Sequence, residues 1–290
     1  MPNKLKQYFQ KARKEGWTIG QFNFSTLEIL KGIIQAAEEL QSPVILGTSE
    51  GESKFFGLEE AVAIVNVYKR KTKLPLFLNL DHGKSLDYIK KAADAGYDAI
   101  HIDGSSLPLR ENIELTKKAI QICRKKDIFI EGEVGFIKGV SRMLNEAPKI
   151  TEADLTLPDD ALKLVKETGV DSLAVNIGTF HGIDASGQDT HINILRLKEI
   201  KEKLGDKVFL VLHGGSGTPK EDIIKAIKLG IVKININTDL RLAYSNALRK
   251  SLLEKPKETT PYKYMPEVII AVQKVAKEKI KLFTQAKRIC

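Results

Sequence analysis

Cysteine is scarce in this chain, and long apolar runs are missing. Its 290 residues include two cysteines, Cys123 and Cys290, which lie far apart and belong to no ligand-spaced cluster. We therefore expect reduced thiols and a cytoplasmic protein. No run of about eighteen apolar residues occurs, so we expect no membrane span. The first residues, MPNKLKQYFQKARKEG, lack the apolar centre of a secretory signal and predict an amphipathic helix.

Aromatic residues are also few, at 7% of the chain, and acidic residues are outnumbered by basic ones. The formal net charge is +9 and the isoelectric point is about 9.3, values that raise the question of nucleic-acid binding. The lysines, however, are scattered among glutamates, and the sequence has no nucleic-acid-binding motif. We expect a solvated, lysine-rich surface that adds a modest attraction for an anionic substrate, and no nucleic-acid partner.

Short β-branched runs alternate with helical patterns along the whole chain. The strand candidates are residues 19–24, 43–49, 74–82, 99–104, 127–135, 172–178, 208–215 and 232–238. Their nearly continuous apolar composition is typical of parallel strands buried on both faces. Eight such units predict an α/β fold, a TIM (β/α)8 barrel with an extra C-terminal helix after Pro256. A doubly wound sheet is the alternative, but no G-x-G-x-x-G follows the first strand. We expect one domain over residues 1–290.

Three histidines follow apolar strand candidates, and each directly precedes a glycine. They are His82 in LFLNLDHG, His181 in NIGTFHG and His213 in VFLVLHGG. Strand ends of a closed barrel meet at one rim, so the three rings would converge there. Three protein ligands with one open position are typical of a catalytic zinc site, which predicts a metal-dependent enzyme. We interpret His101 as a barrel-interior residue with satisfied hydrogen bonds, and His191 as an exposed loop residue.

Small and polar residues follow the last two strand candidates. Gly214-Gly215-Ser216-Gly217 leads into a helix, and Asn235-Ile236-Asn237-Thr238 lies at the next strand-to-helix turn. Backbone N–H groups in such turns, together with helix N-termini, favour an anion. In TIM barrels these two loops often hold a phosphate. Either loop alone is as well explained by a tight turn, but together they favour a phosphorylated substrate.

Carboxylates lie close to the histidines in the sequence. Asp81 directly precedes the first of them and is a candidate base for a substrate hydroxyl. Asp103, and either Glu131 or Glu133, would line the same rim. For Asp103 and Glu131, hydrogen bonding to a ligand histidine is an equally good interpretation. Two polar residues of the first strands are further candidate substrate contacts, Asn23 and Ser49.

A set of motifs spans residues 22 to 241 in a fixed order: FNFSTLE, LNLDHG, HIDGS, EGEVG, NIGTFHG, LHGGSG and KININTDLR. Together they resemble the class II, metal-dependent, fructose-bisphosphate and tagatose-bisphosphate aldolases. The resemblance implies Zn²⁺, or another divalent metal, and cleavage of a ketose 1,6-bisphosphate. Fructose 1,6-bisphosphate, which gives dihydroxyacetone phosphate and glyceraldehyde 3-phosphate, is the first substrate to expect. The resemblance also implies a monovalent cation near the phosphate and a homodimer or dimer-based oligomer.

The same resemblance implies roles for individual residues. The three histidines match the catalytic zinc ligands, and Glu133 matches a glutamate near an alternative metal position. Asp81 matches the base that deprotonates the C4 hydroxyl, and Asp103 matches an aspartate that supports the substrate and the metal. The positions that match phosphate-binding residues are Gly182, Gly214, Ser216, Asn235, Asn237 and Thr238.

Two substrate-facing loops depart from the family pattern. After EGEVG the family continues into a mobile G-G-x-E-D loop whose acid protonates the enediolate, whereas residues 135–142 read GFIKGVSR. Glu146, or a group outside this loop, is the candidate replacement. A Tyr-Lys pair that often follows HG is replaced by residues 183–186, which read IDAS.

The loop differences leave alternatives open. Tagatose 1,6-bisphosphate or another phosphorylated ketose is the nearest alternative substrate, and a phosphate-binding metalloprotein without aldolase activity is the alternative function. Lys138 and Lys233 lie near the predicted rim, so a class I Schiff-base mechanism is the competing chemistry. The three histidines argue against it.

Overall fold

Eight parallel strands close into a barrel in the computed structural model of this protein, which describes residues 4–186 and 190–285. Within these ranges the strands are β1 (Ile19–Asn23), β2 (Val44–Ser49), β3 (Leu76–Gly83), β4 (Ala99–Ile102), β5 (Phe129–Val134), β6 (Gly139–Leu144), β7 (Ser172–Val175), β8 (His181–Asp184), β9 (Phe209–Leu212) and β10 (Ile231–Ile236). The barrel order is β1-β10-β9-β7-β5-β4-β3-β2. This arrangement confirms the predicted TIM barrel.

Helices connect the barrel strands and cover their outer faces. They are α1 (Lys4–Glu15), α2 (Leu27–Leu40), α3 (Glu50–Phe56), α4 (Leu58–Thr72), α5 (Leu86–Ala95), α6 (Leu109–Cys123), α7 (Pro158–Thr168), α8 (Ile194–Leu204), α9 (Lys220–Lys228), α10 (Thr238–Glu254) and α11 (Pro261–Gln285). Among the described residues, none of these helices combines the length and apolarity that crossing a bilayer requires.

The extra C-terminal helix, α11, packs on the barrel's own helix α2. Its buried side chains recur at helical spacing and include Val268, Val272, Ala276 and Ile280. Gly32 in α2 permits this close approach, because a Cβ at that position would lie 2.8 Å from the side chain of Val272. The apolar side of the extra C-terminal helix therefore packs against the barrel itself.

The end of the barrel where the strands begin is closed by α1. Leu5 and Phe9 of this helix are buried, and the Phe9 ring lies 5.0 Å from that of Phe129 and 5.5 Å from that of Phe209. Edge-on aromatic contacts of this kind make a dense apolar plug. This end of the barrel is therefore closed by apolar side chains.

A small two-stranded sheet, formed by β6 and β8, lies outside the barrel. The sequence does not predict it, because the residues of β6 are exposed or half-buried and show no apolar alternation. The two strands pair in parallel from Gly139 opposite His181 to Leu144 opposite Asp184. The stretch that the resemblance treats as a mobile loop is thus part of a sheet in this chain.

Candidate metal and substrate site

Polar residues occupy alternate positions on four barrel strands. Because successive side chains of a strand point to opposite faces, residues two apart share the barrel interior. The buried polar pairs placed in this way are Gln21 and Asn23 on β1, Asn79 and Asp81 on β3, Glu131 and Glu133 on β5, and Lys233 and Asn235 on β10. The carboxyl ends of the strands therefore surround a polar interior.

His82, near the end of β3, has a left-handed backbone conformation with φ of 55°. Few residues that carry a Cβ adopt this region, so the conformation needs support from the surroundings. The support comes from β4, where Nδ1 of His101 accepts a hydrogen bond of 3.1 Å from the backbone N–H of His82. The ring of His82 is thereby turned into the mouth of the barrel.

The three histidines predicted as ligands lie together at this mouth. The ring centroids of His82 and His181 are 4.9 Å apart, those of His82 and His213 are 4.9 Å apart, and those of His181 and His213 are 6.0 Å apart. Imidazoles at this spacing can direct nitrogen atoms towards one zinc-sized ion.

A fourth imidazole, that of His101, lies beside them. Its centroid is 4.6 Å from that of His82 and 4.7 Å from that of His213, and the residue is fully buried. The interpretation of His101 as a barrel-interior residue is confirmed. Its Nδ1 accepts the backbone N–H of His82, and its Nε2 pairs with Oε2 of Glu133 at 3.0 Å. The side chain of His191, by contrast, is largely exposed.

Two carboxylates fix the orientation of two of the rings. Oδ2 of Asp103 lies 2.9 Å from Nδ1 of His82, and Oε1 of Glu131 lies 2.9 Å from Nε2 of His213. Such carboxylate–histidine pairs are typical of metal sites, where they set the tautomer and make the ring a stronger ligand. The second nitrogen of each ring, Nε2 of His82 and Nδ1 of His213, is then available to a metal.

Neither lysine near the rim is arranged as a Schiff-base nucleophile. Nζ of Lys233 is buried and donates to Oε2 of Glu131 at 2.7 Å. Lys138 forms an ion pair with Asp154 at 2.7 Å. Both amines are thus held by carboxylates and are not directed at a substrate carbonyl.

Asp81 is buried beside the histidines and held by two amides. Its Oδ2 accepts from Nδ2 of Asn23 at 2.9 Å, and its Oδ1 accepts from Nδ2 of Asn235 at 3.0 Å. Burial opposes the charged form, but His82, His101 and His213 together favour it, and the pKa of Asp81 lies well below its ordinary value. The residue is therefore an ionised, fixed hydrogen-bond acceptor.

Burial and neighbouring charges set the protonation of the histidines. Burial and repulsion from His82 and His213 hold the pKa of His181 well below its ordinary value. Burial also lowers the pKa of His213, against the opposing effect of its hydrogen bond to Glu131. For His82 burial is outweighed by Asp81, and the pKa is raised. His181 and His213 are thus neutral, the state in which imidazole binds a metal.

A cavity of about 450 Å³ lies over this cluster. The residues predicted for the site line it, except Asn23, Glu131 and His213, which are buried outside its lining. The sequence thus predicted a set of residues that the fold brings into one place, at the carboxyl ends of the strands.

The glycine-rich turns form one side of the cavity. Gly182 and Gly214 have φ values of 120° and 69°, and a Cβ on Gly214 would lie 2.5 Å from the carbonyl oxygen of Phe180. Only glycine fits there. Ser216 and the N-terminus of α10 at Thr238 complete this side, which offers backbone N–H groups and a helix dipole to an anion.

The sequence analysis missed a buried carboxylate, Glu52. Its oxygens accept hydrogen bonds from the side chains of Asn23, Asn237 and Arg241 and from the backbone N–H of Ser49. Ser49 and Glu52 form the capping box that begins α3, and the letters S-x-x-E were a signal that was available. Glu52 therefore ties the ends of β1, β2 and β10 together beneath the cavity.

The acid proposed to replace the family's loop acid does not reach the site. Glu146 is exposed and does not line the cavity. Of the described acidic residues that do, Glu50 is the one that lies outside the histidine cluster. Its Oε1 accepts from the backbone N–H of Lys84 at 2.9 Å, and its Oε2 lies 3.2 Å from Nζ of Lys54.

Comparison with known proteins agrees with this geometry. A family model described as fructose-bisphosphate aldolase class-II matches residues 3–288. The YdjI aldolase from Escherichia coli K12 is 33% identical and superposes with a TM-score of 0.82 over 98% of each chain. The fructose-bisphosphate aldolase from Campylobacter jejuni is 20% identical, with a TM-score of 0.81 over 97% of this chain and 94% of that one. At 20% identity, the likeness to the Campylobacter jejuni enzyme concerns the fold alone.

Proposed function

Because this chain belongs to the class II fructose-bisphosphate aldolase family, we propose that it cleaves a ketose 1,6-bisphosphate in a metal-dependent reaction. Fructose 1,6-bisphosphate is the leading substrate, with dihydroxyacetone phosphate and glyceraldehyde 3-phosphate as products. One observation carries the proposal. A cluster of histidines, an ionised aspartate and a glycine-rich anion-binding turn line one cavity at the mouth of the barrel.

The donor atoms fit a zinc-type divalent metal. His82, His181 and His213 would hold it, and Asp103 and Glu131 keep two of the rings in place. The buried Oε2 of Glu133, which lies 3.0 Å from Nε2 of His101 and 3.8 Å from Nδ1 of His82, adds an anionic oxygen beside these rings. When bound, the metal supplies Lewis acidity that polarises the ketose carbonyl and stabilises the negative charge left by cleavage. Zn²⁺ is our choice because imidazole is a preferred zinc ligand.

Asp81 is the proposed base. It takes the proton of the C4 hydroxyl, the C3–C4 bond breaks, and the aldehyde leaves while the bonding electrons stay on the ketose fragment. The low pKa of Asp81 keeps it ionised before the reaction, and the amides of Asn23 and Asn235 fix the direction of its lone pairs. Asp81 therefore carries out the proton transfer from the C4 hydroxyl.

Substrate anchoring is assigned to the glycine-rich side of the cavity. Gly182, Gly214 and Ser216 would bind the phosphate of the dihydroxyacetone fragment, and Asn237 and Thr238 at the start of α10 would complete the cradle. Asn235 would contact the adjacent oxygens, and Ser49 the far end of the sugar. We also propose a monovalent cation near this phosphate.

The changed loops support a second candidate substrate. Residues 139–144 form β6, and the segment that follows His181 belongs to β8, so two substrate-facing elements differ from the family pattern. Tagatose 1,6-bisphosphate or another phosphorylated ketose is therefore the alternative. A phosphate-binding metalloprotein without turnover is the alternative function.

For the whole protein we propose one domain over residues 1–290 and a homodimer or dimer-based oligomer. The exposed apolar side chains of Leu253 on α10 and of Tyr262 and Ile270 on α11 support association through these helices. A cytoplasmic location stays a prediction from the sequence.

The proposed function is tested by measuring fructose 1,6-bisphosphate cleavage with the purified protein, before and after EDTA treatment and again after Zn²⁺ is restored. We expect activity that is lost with EDTA and regained with zinc. Cleavage that survives complete metal removal would contradict the metal-dependent mechanism. Faster cleavage of tagatose 1,6-bisphosphate would select the second substrate, and zinc binding without cleavage of any ketose bisphosphate would contradict aldolase activity.

A further inference from the structure

Glu52 is a buried carboxylate that accepts four hydrogen bonds, two on each oxygen. Oε2 accepts from the backbone N–H of Ser49 at 2.8 Å and from Nδ2 of Asn23 at 3.0 Å. Oε1 accepts from Nδ2 of Asn237 at 3.3 Å and from the guanidinium of Arg241 at 2.6 Å. The capping box that begins α3 uses only the bond from Ser49. The other three bonds are therefore not explained by the helix cap.

The side chain of Asn23 connects Glu52 to Asp81. Its Nδ2 carries two hydrogens, of which one is donated to Oε2 of Glu52 and the other to Oδ2 of Asp81, at 3.0 and 2.9 Å. Its Oδ1 accepts from Nε2 of Gln21 at 3.1 Å. The reverse orientation of the amide would turn its oxygen towards two carboxylates. One orientation alone therefore satisfies every polar atom of Asn23.

The surroundings of this amide leave it little freedom. Gly47 is the partner of Asn23 in the pairing of β1 with β2, and a Cβ at Gly47 would collide with Oδ1 of Asn23. Asn23 is 2% exposed and Glu52 is 5% exposed. Hydrogen bonds are stronger in such a buried place, where the local dielectric is low. Glu52, Asn23 and Asp81 thus form a buried linkage that ends at the proposed base.

Glu52 does not line the cavity, so it acts on a substrate only through other side chains. We infer that Glu52 is a positioning residue of the cleavage reaction, which holds the carboxylate of Asp81 towards the C4 hydroxyl through the amide of Asn23. This inference rests on the proposed function for the role of Asp81 as the base. Loss of the linkage slows cleavage and leaves metal binding unchanged, because none of the four bonds of Glu52 reaches a histidine.

Glu52→Gln keeps the size of the side chain but leaves one acceptor oxygen for donors on two sides. The guanidinium of Arg241 is charged and attracts that oxygen more strongly than a neutral amide or a backbone N–H does. The amide nitrogen of the new side chain then faces Asn23, which turns away from Asp81. In Glu52→Gln/Arg241→Met the competing charge is removed, and the oxygen returns to Asn23.

Cleavage is measured with the full-length, zinc-loaded variants at saturating substrate. We expect kcat of Glu52→Gln to fall by about 10- to 100-fold, the scale of a lost hydrogen bond to a charged group, with an unchanged zinc content. The kcat of Glu52→Gln/Arg241→Met should exceed that of Glu52→Gln. In the Asp81→Asn background, Glu52→Gln should have little further effect on kcat, because both act through one carboxylate. Glu59→Gln, at an exposed position of α4, is the matched control.

A normal kcat in Glu52→Gln would overturn the inference. So would an equal loss in the unaltered and Asp81→Asn backgrounds, because that result assigns Glu52 to the stability of the fold alone. Should Glu52→Gln fail to fold, Glu52→Asp gives the same test, because its shorter side chain keeps the charge and withdraws from Asn23.

A crystal structure of Glu52→Gln is a readout that needs no turnover. We expect the hydrogen bond between Asn23 and Asp81 to be lost in that variant, and its retention would contradict the inference. If the unaltered protein cleaves no ketose bisphosphate, the proposed function is refuted. The crystal structure then still decides whether Glu52 directs Asn23 to Asp81.

Discussion

The carboxylate of Glu52 on α3 accepts a hydrogen bond of 2.6 Å from the guanidinium of Arg241 on α10, 189 residues away in the chain. The same guanidinium donates to the carbonyl oxygen of Ser141 on β6 at 2.8 Å. Arg241 also lines the cavity. One side chain therefore joins the buried network beneath the site to the strand that covers it.

Arg241→Met should loosen β6 and weaken binding of a phosphorylated substrate. The substitution removes two hydrogen bonds and a positive charge from the cavity wall. We expect kcat/KM to fall by about 10- to 100-fold, the scale of a lost hydrogen bond to a charged group. Faster hydrogen–deuterium exchange in residues 139–144 is the second readout. Arg249→Met, at an exposed position of the same helix, is the control, and equal exchange in both variants would contradict the link.

Asp81→Asn should leave metal binding intact and slow cleavage. We expect zinc content near that of the unaltered protein and a loss of kcat of about 10² or more, the usual contribution of a general base. Asp87→Asn, at an exposed position of α5, is the matched control. Near-normal turnover of Asp81→Asn would remove this residue from the role of base, and loss of zinc would show that it is needed to hold the metal.

Glu131→Gln should destabilise the metal-free fold because it leaves the ammonium group of Lys233 buried without its counter-charge. Breaking one half of a buried ion pair costs about 3–5 kcal/mol. Replacing both partners in Glu131→Gln/Lys233→Met should recover much of that free energy of unfolding, as measured with urea. A single variant as stable as the unaltered protein would disprove the pairing. Both variants should bind zinc about 10- to 100-fold more weakly, because His213 loses its carboxylate.

Glu50→Gln should slow proton transfer at the enediolate, because Glu50 lines the cavity and lies outside the histidine cluster. We expect a loss of about 10²-fold in solvent deuterium exchange at C3 of dihydroxyacetone phosphate. Glu146→Gln is the matched control, since Glu146 is exposed and does not line the cavity. Normal exchange in Glu50→Gln, or an equal loss in both, would exclude Glu50 as the acid that replaces the family's loop acid.

The barrel was predictable because its information is local. Each barrel strand is an apolar run that can be recognised from its own residues. The ends of parallel strands must meet at one rim of a closed barrel. That rule placed His82, His181 and His213 together. For Asp103 and Glu131 the sequence allowed either a place at the rim of the site or a hydrogen bond to a ligand histidine. The hydrogen bonds of Asp103 to His82 and of Glu131 to His213 favour the second interpretation.

What the sequence did not provide depends on contacts between distant segments. β6 has no apolar pattern of its own and exists through pairing with β8 and through Arg241. The two partners of His101, the backbone N–H of His82 and the carboxylate of Glu133, depend on which way its ring faces, a property that no residue pattern encodes. The capping box of Glu52 with Ser49 can be recognised from the sequence. The hydrogen bond of Glu52 to Arg241 cannot, because the two residues lie far apart in the chain.

The plug formed by Leu5 and Phe9 of α1 closes the far end of the barrel, while the cavity opens at the histidine end. The proposed metal ion and sugar phosphate would therefore share this opening. We expect a bound sugar phosphate to slow the exchange of the metal, which would link the residence time of the ion to the supply of substrate.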